Sequence, residues 1–246
     1  MSPRGFILTN AHIGQYFLLA SSTSAHVHCT IRSGSPAHAS YDAALAFISP
    51  QWIHKNARTL TETQPMGTGR DDIAVLAITK SVSGSPLPSS FPFIPLTQKR
   101  DVLGEPVVIG SYAAQFLSGS EIKYSLYPTL VYGSVHKLFT FSTSTIDVVS
   151  LGGTAAAQEG SSGGGALDAT GNLIALITTS TITGATSERT LYALTSSYIQ
   201  REYAAEAGQP LRALLTESPS RAIESFSSRA AQLASFLEQE STSKRS

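Results

Sequence analysis

A serine hydroxyl becomes a useful nucleophile only when a base takes its proton and backbone N–H groups receive the charge developing on the substrate. The stretch Gly160-Ser161-Ser162-Gly163-Gly164 has the composition of such a turn. Glycines on both sides let the chain take conformations other residues resist and let a substrate come close to the backbone. Alone, the motif reads equally well as a flexible Gly/Ser loop. Two further signals change the balance. An apolar run, Gly5-Phe-Ile-Leu-Thr-Asn-Ala-His12, leads into a histidine, and Asp71-Asp72-Ile-Ala-Val-Leu76 opens another apolar run with aspartate. Singly, the histidine reads as structural and the aspartate as a turn residue. Together they stand in the order His12, Asp72, Ser162, with separations of 60 and 90 residues. Those are the residue types of a nucleophile, its general base and the carboxylate that orients the base. Asp71 competes for the orienting role, and the step directly before Ile73 favours Asp72.

The elements that must position these side chains read as short strands. Runs of β type fall at Gly5–Thr9, Ala25–Ile31, Ala43–Ile48, Ile73–Ile78, Pro106–Ile109, Ser125–Tyr132, Thr145–Val149, Leu173–Thr178 and Arg189–Leu194. Gly, Pro, Asn and Ser clusters separate them, as in an all-β protein of antiparallel sandwiches or barrels. The Ser/Pro-rich stretch from Ser81 to Thr97 reads as a connection between two lobes, because proline withholds donors from a ladder. Past Ile199 the pattern changes. Ser218-Pro219 can start a helix, and Ile223, Phe226, Ala230, Leu233 and Leu237 recur at steps of 3 and 4. That stripe predicts an amphipathic helix packing on its own domain, with a self-association seam as the alternative.

Composition limits the rest. The 246 residues suffice for two small cores. Charged residues make up 14%, against roughly 25% in ordinary soluble domains. With 17 basic and 17 acidic residues, formal net charge is zero, which argues against a nucleic-acid or anionic-membrane partner. Cys29 is the single cysteine, so no intrachain disulfide can form. No apolar run reaches the roughly 20 residues a membrane span needs, and residues 1–10 lack the pattern of an export signal. His26 and His28 share one strand face, with Cys29 on the other, so no metal site is expected. His38, His54 and His136 have no patterned partners, and Trp52 reads as packing.

The motif order is that of the chymotrypsin type, and the chain resembles a trypsin-like peptidase. It is closer to disulfide-free bacterial HtrA-type domains than to animal trypsins. Met-Ser-Pro-Arg-Gly-Phe-Ile-Leu-Thr-Asn-Ala-His12 resembles the strand into the family's histidine, and Asp72-Ile-Ala-Val-Leu its aspartate motif. Gly104-Glu-Pro-Val-Val-Ile-Gly110 resembles the entry into its second barrel. Gly160-Ser-Ser-Gly-Gly-Gly-Ala-Leu167 with Gly171-Asn-Leu-Ile-Ala-Leu resembles the nucleophile turn and the strand after it, and Leu191–Ile199 the closing strand. The likeness spans about residues 2–203 and includes no PDZ-like module.

The resemblance implies two Greek-key β-barrels plus a C-terminal helix. Residues 1–97 would carry His12 and Asp72, residues 98–203 the Ser162 nucleophile, and residues 204–246 a helical extension and tail. It implies a serine endopeptidase that hydrolyses polypeptides without cofactor through an acyl-enzyme, with the N–H groups of Gly160 and Ser162 as oxyanion donors. The resemblance suggests an exported or cell-envelope location, which the sequence itself leaves open. The implied primary pocket has Ala156 and Ala157 at its base, with Thr178, Thr179, Ser180 and Thr190 as walls. No residue there is acidic, so cleavage after small or medium uncharged residues is expected. Three departures stand out. Ile13 replaces the cysteine of disulfide-bearing relatives, Gly165 stands where many have proline, and Ser161 stands where trypsins carry an activating aspartate. Relatives also have a strand or more ahead of the segment leading to the histidine, and here eleven residues precede His12. An incomplete first barrel, or a start downstream of the true one, is therefore expected. An inactive, protease-like binding module is the alternative function.

Overall fold

A computed structural model describes residues 2–20, 27–61, 67–97, 99, 101–181 and 183–242. In chain order the elements are β1 (Phe6–Thr9), α1 (Ala11–Ala20), β2 (Ile31–Ser33), β3 (Ala39–Ile48), α2 (Pro50–Asn56) and, after a 3-10 turn at Ala57–Thr61, β4 (Ala74–Ser81). There follow β5 (Pro106–Ser111), α3 (Gly119–Tyr124), β6 (Thr129–Ser134), β7 (Lys137–Phe139), β8 (Val148–Ser150), β9 (Gly165–Leu167), β10 (Leu173–Ser180) and β11 (Leu191–Thr195). Three helices close the chain: α4 (Ser196–Ala207), α5 (Leu211–Thr216) and α6 (Pro219–Thr242). The chain divides into two compact units, one of residues 1–31, 41–92 and 203–246, the other of residues 32–40 and 93–202.

The first unit is built on β1, β4 and most of β3, within a four-stranded sheet of order β1-β4-β3-β2. Its central strand β4 begins with a continuous apolar run, Ala-Val-Leu-Ala-Ile, buried along its length. Strand β1 runs antiparallel to it from Phe6 opposite Ala77 to Thr9 opposite Ala74. The residues just after β1 therefore lie beside those just before β4, which brings together segments 60 residues apart in sequence. Four strands leave a sheet open, and β1 stands at its edge. An open sheet cannot enclose its own core. The missing apolar surface comes from helices: Leu233, Ala234 and Leu237 of α6 share one buried cluster with Ala11 and Leu18 of α1, Trp52 and Ile53 of α2, and Leu76 of β4.

The second unit is built on a seven-stranded sheet in the order β6-β5-β9-β10-β11-β8-β7. Strands β6 and β7 lie at opposite ends of that order, yet only Val135 and His136 separate them in the chain. Ser134 and Lys137 can be no more than about 11 Å apart. The sheet must therefore curl until its two ends approach, which makes it a barrel. Its core is small and aliphatic: Val107, Ile109, Val149, Leu151, Ile174 and Ile177, with Ala156, Ala157 and Ala166 filling the tighter places.

Most expected strands are present, and the first sheet has fewer strands than the second, with β1 at an edge, as anticipated. The expected strand at Ala25–Ile31 is a correction. Its described part, residues 27–30, has no regular structure, and a strand begins only at Ile31. His26 lies outside the described residues. Helices α1, α2 and α3 and the short strands β7 and β9 were not anticipated. The predicted C-terminal helix begins at Pro219, where the Ser218 hydroxyl accepts the Arg221 N–H at 3.4 Å.

Candidate active site

His12 is the second residue of α1, whose first-turn N–H groups have no carbonyl within the helix to bond. Asp72 answers one of them. Its Oδ1 accepts the His12 backbone N–H at 2.9 Å, and its Oδ2 faces His12 Nδ1 at 2.8 Å. One carboxylate thus fixes both the backbone and the ring of the same residue, at a helix end whose dipole favours negative charge. A carboxylate only accepts, so Nδ1 donates to it, and in the neutral ring Nε2 keeps its lone pair. Asp72 is 3% exposed, and the His12 side chain keeps 30% exposure. Hydrogen bonds to a charged partner of this kind contribute about 1.5–3 kcal/mol each.

The scaffold around the pair is tight. Asn10 accepts N–H bonds from Ile13 and Gly14 at the helix start, and its amide donates to the Asp72 carbonyl at 3.3 Å. A Cβ on Gly14 would sit 2.7 Å from the Ala74 Cβ, so the glycine lets α1 cross close over β4. Asp71, the rival carboxylate, turns elsewhere: it adopts φ 62° and binds Lys55 Nζ at 2.8 Å. Of the adjacent aspartates, Asp72 is the one against the imidazole.

The Ser162 turn lies in the second unit. Gly160 has φ +89°, and a Cβ there would meet the Ala114 nitrogen and the Tyr112 carbonyl oxygen at 3.0 Å. Only glycine fits both demands. The Ser161 N–H donates to Gln158 O, that of Gly163 to Ile177 O and that of Gly164 to Ser161 O. Among the described residues, the N–H groups of Gly160 and Ser162 donate to no carbonyl. Ser161 is buried, with its hydroxyl 3.1 Å from that of Ser111. Among the described residues, the half-buried Ser162 hydroxyl has one long contact, 3.5 Å to Thr178 O.

The expected pocket residues all fall in this same unit. The methyl groups of Ala156 and Ala157 are fully buried in its core. Thr178 is buried at a break in the β10–β11 register, Thr179 and Ser180 are half-buried on β10, and Thr190 accepts the Thr181 N–H at 3.0 Å. No group of three or more metal-ligating side chains occurs among the described residues. No described helix is long and apolar enough to cross a membrane.

Residues 1–176 match the family model for the trypsin-like peptidase domain. The chain belongs to that family. Among solved structures this peptidase domain is similar to an alanine variant of Rv3671c from M. tuberculosis in its inactive form, at 18% identity over 86% of this chain and 81% of that one, with a TM-score of 0.50. It is also similar to the active form of the Rv3671c protease, at 18% identity over 86% and 73%, TM-score 0.49. The serine endoprotease from Yersinia pestis matches at 19% identity over 85% of this chain and 57% of that one, TM-score 0.49. No curated protein matches. The fold is the trypsin-like double barrel with its first barrel reduced to an open sheet, plus a C-terminal helix.

One residue of the peptidase domain escaped the sequence reading. Arg189 lies beyond the family match, one position before Thr190, and is only 6% exposed. Its Nη1 donates to Gln115 Oε1 at 2.7 Å and to Ala157 O at 3.0 Å, and its Nε donates to Gly184 O at 3.1 Å. Nothing in the stretch Ser187-Glu-Arg-Thr190 marks this arginine as buried.

Proposed function

We propose that this peptidase domain is a serine endopeptidase in which Ser162 is the nucleophile, His12 the general base and Asp72 the orienting carboxylate. The observation that carries the reading is the double hold of Asp72 on His12, which leaves Nε2 as a proton acceptor. In this mechanism Ser162 Oγ bonds to the scissile carbonyl carbon while its proton passes to His12 Nε2. The carbonyl oxygen takes up negative charge, and the N–H groups of Gly160 and Ser162 receive it. The C–N bond then breaks, Nε2 returns the proton to the leaving amine, and water repeats the sequence to release the acid and restore Ser162. The substrate is a polypeptide and no cofactor takes part. The primary pocket is bounded by Ala156, Ala157, Thr178, Thr179, Ser180 and Thr190. Self-association through the Ile223–Leu237 stripe is no part of this reading, because Leu233 and Leu237 already serve the chain's own core.

The test combines a fluorophosphonate probe with casein digestion. Wild type labels and digests, Ser162→Ala does neither while keeping its circular dichroism spectrum, and Ser161→Ala keeps both activities. Labelling that survives Ser162→Ala but is lost in Ser161→Ala would move the nucleophile. An unlabelled, correctly folded wild type would leave a binding module.

A further inference from the structure

Arg189 is a buried cation without an anionic partner among the described residues. Its three hydrogen bonds go to neutral oxygens, and its guanidinium carbon sits 5.9 Å from the centre of the Phe116 ring. None of the ion pairs among the described residues includes it. The neighbouring Glu188 is exposed and forms no ion pair with it. Neutral acceptors satisfy donors but do not cancel charge, and an uncompensated charge away from water is costly. Of the five N–H groups on a guanidinium, three are used here, and the two on Nη2 meet no partner among the described residues.

The placement of that charge gives it meaning. Nη1 is bonded directly to the carbonyl of Ala157, one of the two residues at the pocket base, and Arg189 immediately precedes the wall residue Thr190. None of the pocket positions is acidic. We propose that the primary pocket takes an acidic side chain, aspartate or glutamate, with Arg189 as the specificity-determining residue that answers its charge. This rests on the serine-peptidase reading above. The alternative, an uncharged residue in the pocket, rests on the absence of an acidic wall residue alone. The Nη2 edge suits a carboxylate, and Nη1 and Nε meanwhile hold the Ala157 and Gly184 segments in place.

The experiment is a peptide series differing only at the residue before the cleaved bond: Glu, Gln, Asp, Asn, Ala, Leu and Lys. The kcat/KM values are read for wild type, Arg189→Gln and Arg189→Lys. Wild type should cleave the Glu and Asp peptides on the order of 30-fold or more faster than their amides. Arg189→Gln should bring that ratio close to one, whatever the fall in its activity on all peptides, and Arg189→Lys should restore part of the ratio. A wild-type preference for uncharged or basic residues would overturn the proposal. So would an equal loss on all peptides in Arg189→Gln with no recovery in Arg189→Lys, which makes the arginine a loop tie only. If wild type neither labels with fluorophosphonate nor cleaves, the peptidase reading fails by itself. The pocket is then read by calorimetric binding of the Glu and Gln peptides: tighter binding of Glu, lost in Arg189→Gln, supports the acidic pocket, and equal binding overturns it.

Discussion

Leu237→Ala tests what the C-terminal helix is for. Leu237 has 0% exposure and belongs to the buried cluster that includes Ala11, Leu18, Trp52 and Leu76, the interior of the unit carrying His12 and Asp72. Cutting it to alanine removes three carbons from a site enclosed by helices and a sheet, and such losses run from about 2.7 to 5 kcal/mol when the surroundings cannot collapse. Taking about 3 kcal/mol, and about 2–4 °C per kcal/mol for a chain of this length, Tm should fall by about 6–12 °C. Ser228→Ala, at an exposed position of the same helix, should shift Tm by about 2 °C or less. Thermal unfolding by circular dichroism reads both, with size-exclusion chromatography alongside. An unchanged Tm in Leu237→Ala together with a smaller elution mass would refute the reasoning, because the stripe would then be a seam between copies.

Two other outcomes follow. Asp72→Asn puts an amide where a carboxylate held Nδ1, favours the wrong imidazole tautomer and should lower kcat about 10,000-fold at neutral pH; a loss below 10-fold would remove Asp72 from the mechanism. Burial, with a smaller push from the charge on Glu105, raises the Asp101 carboxyl to about 6. Its contribution to stability is therefore complete below the ordinary carboxylate range and lost as pH rises through about 6. Asp101→Asn should accordingly match wild-type Tm near pH 3.5 and exceed it above pH 6.5, and a gap that does not change with pH would disprove this.

The candidate site was legible in the sequence wherever the proposed chemistry demands a fixed order of residue types. His12, Asp72 and Ser162 could be singled out because each ends or begins an apolar run, or sits among glycines. The helix stripe was legible too, because its period repeats over five positions from Ile223 to Leu237. Other features were not. In α1, Ala-His-Ile-Gly-Gln-Tyr-Phe-Leu-Leu-Ala has no clear polar face, so periodicity could not announce it. Strands β7 and β9 are three residues each, too short for alternation to register. Residues 27–30 belong to an alternating run yet form no strand, since alternation predicts a strand only where a partner edge exists. The charge of Arg189 is plain in the sequence, but its burial among neutral acceptors is not.

The C-terminal helix also sets a timetable. Synthesis runs from the N-terminus at about 5–20 residues per second, and 225 residues separate His12 from Leu237, so about 11–45 s pass between making one and making the other. Throughout that interval the open sheet lacks the side chains that complete its interior. The unit holding the His12–Asp72 pair can close only after residue 237 has been made, and a chain cut short before it would leave that pair without its packed interior.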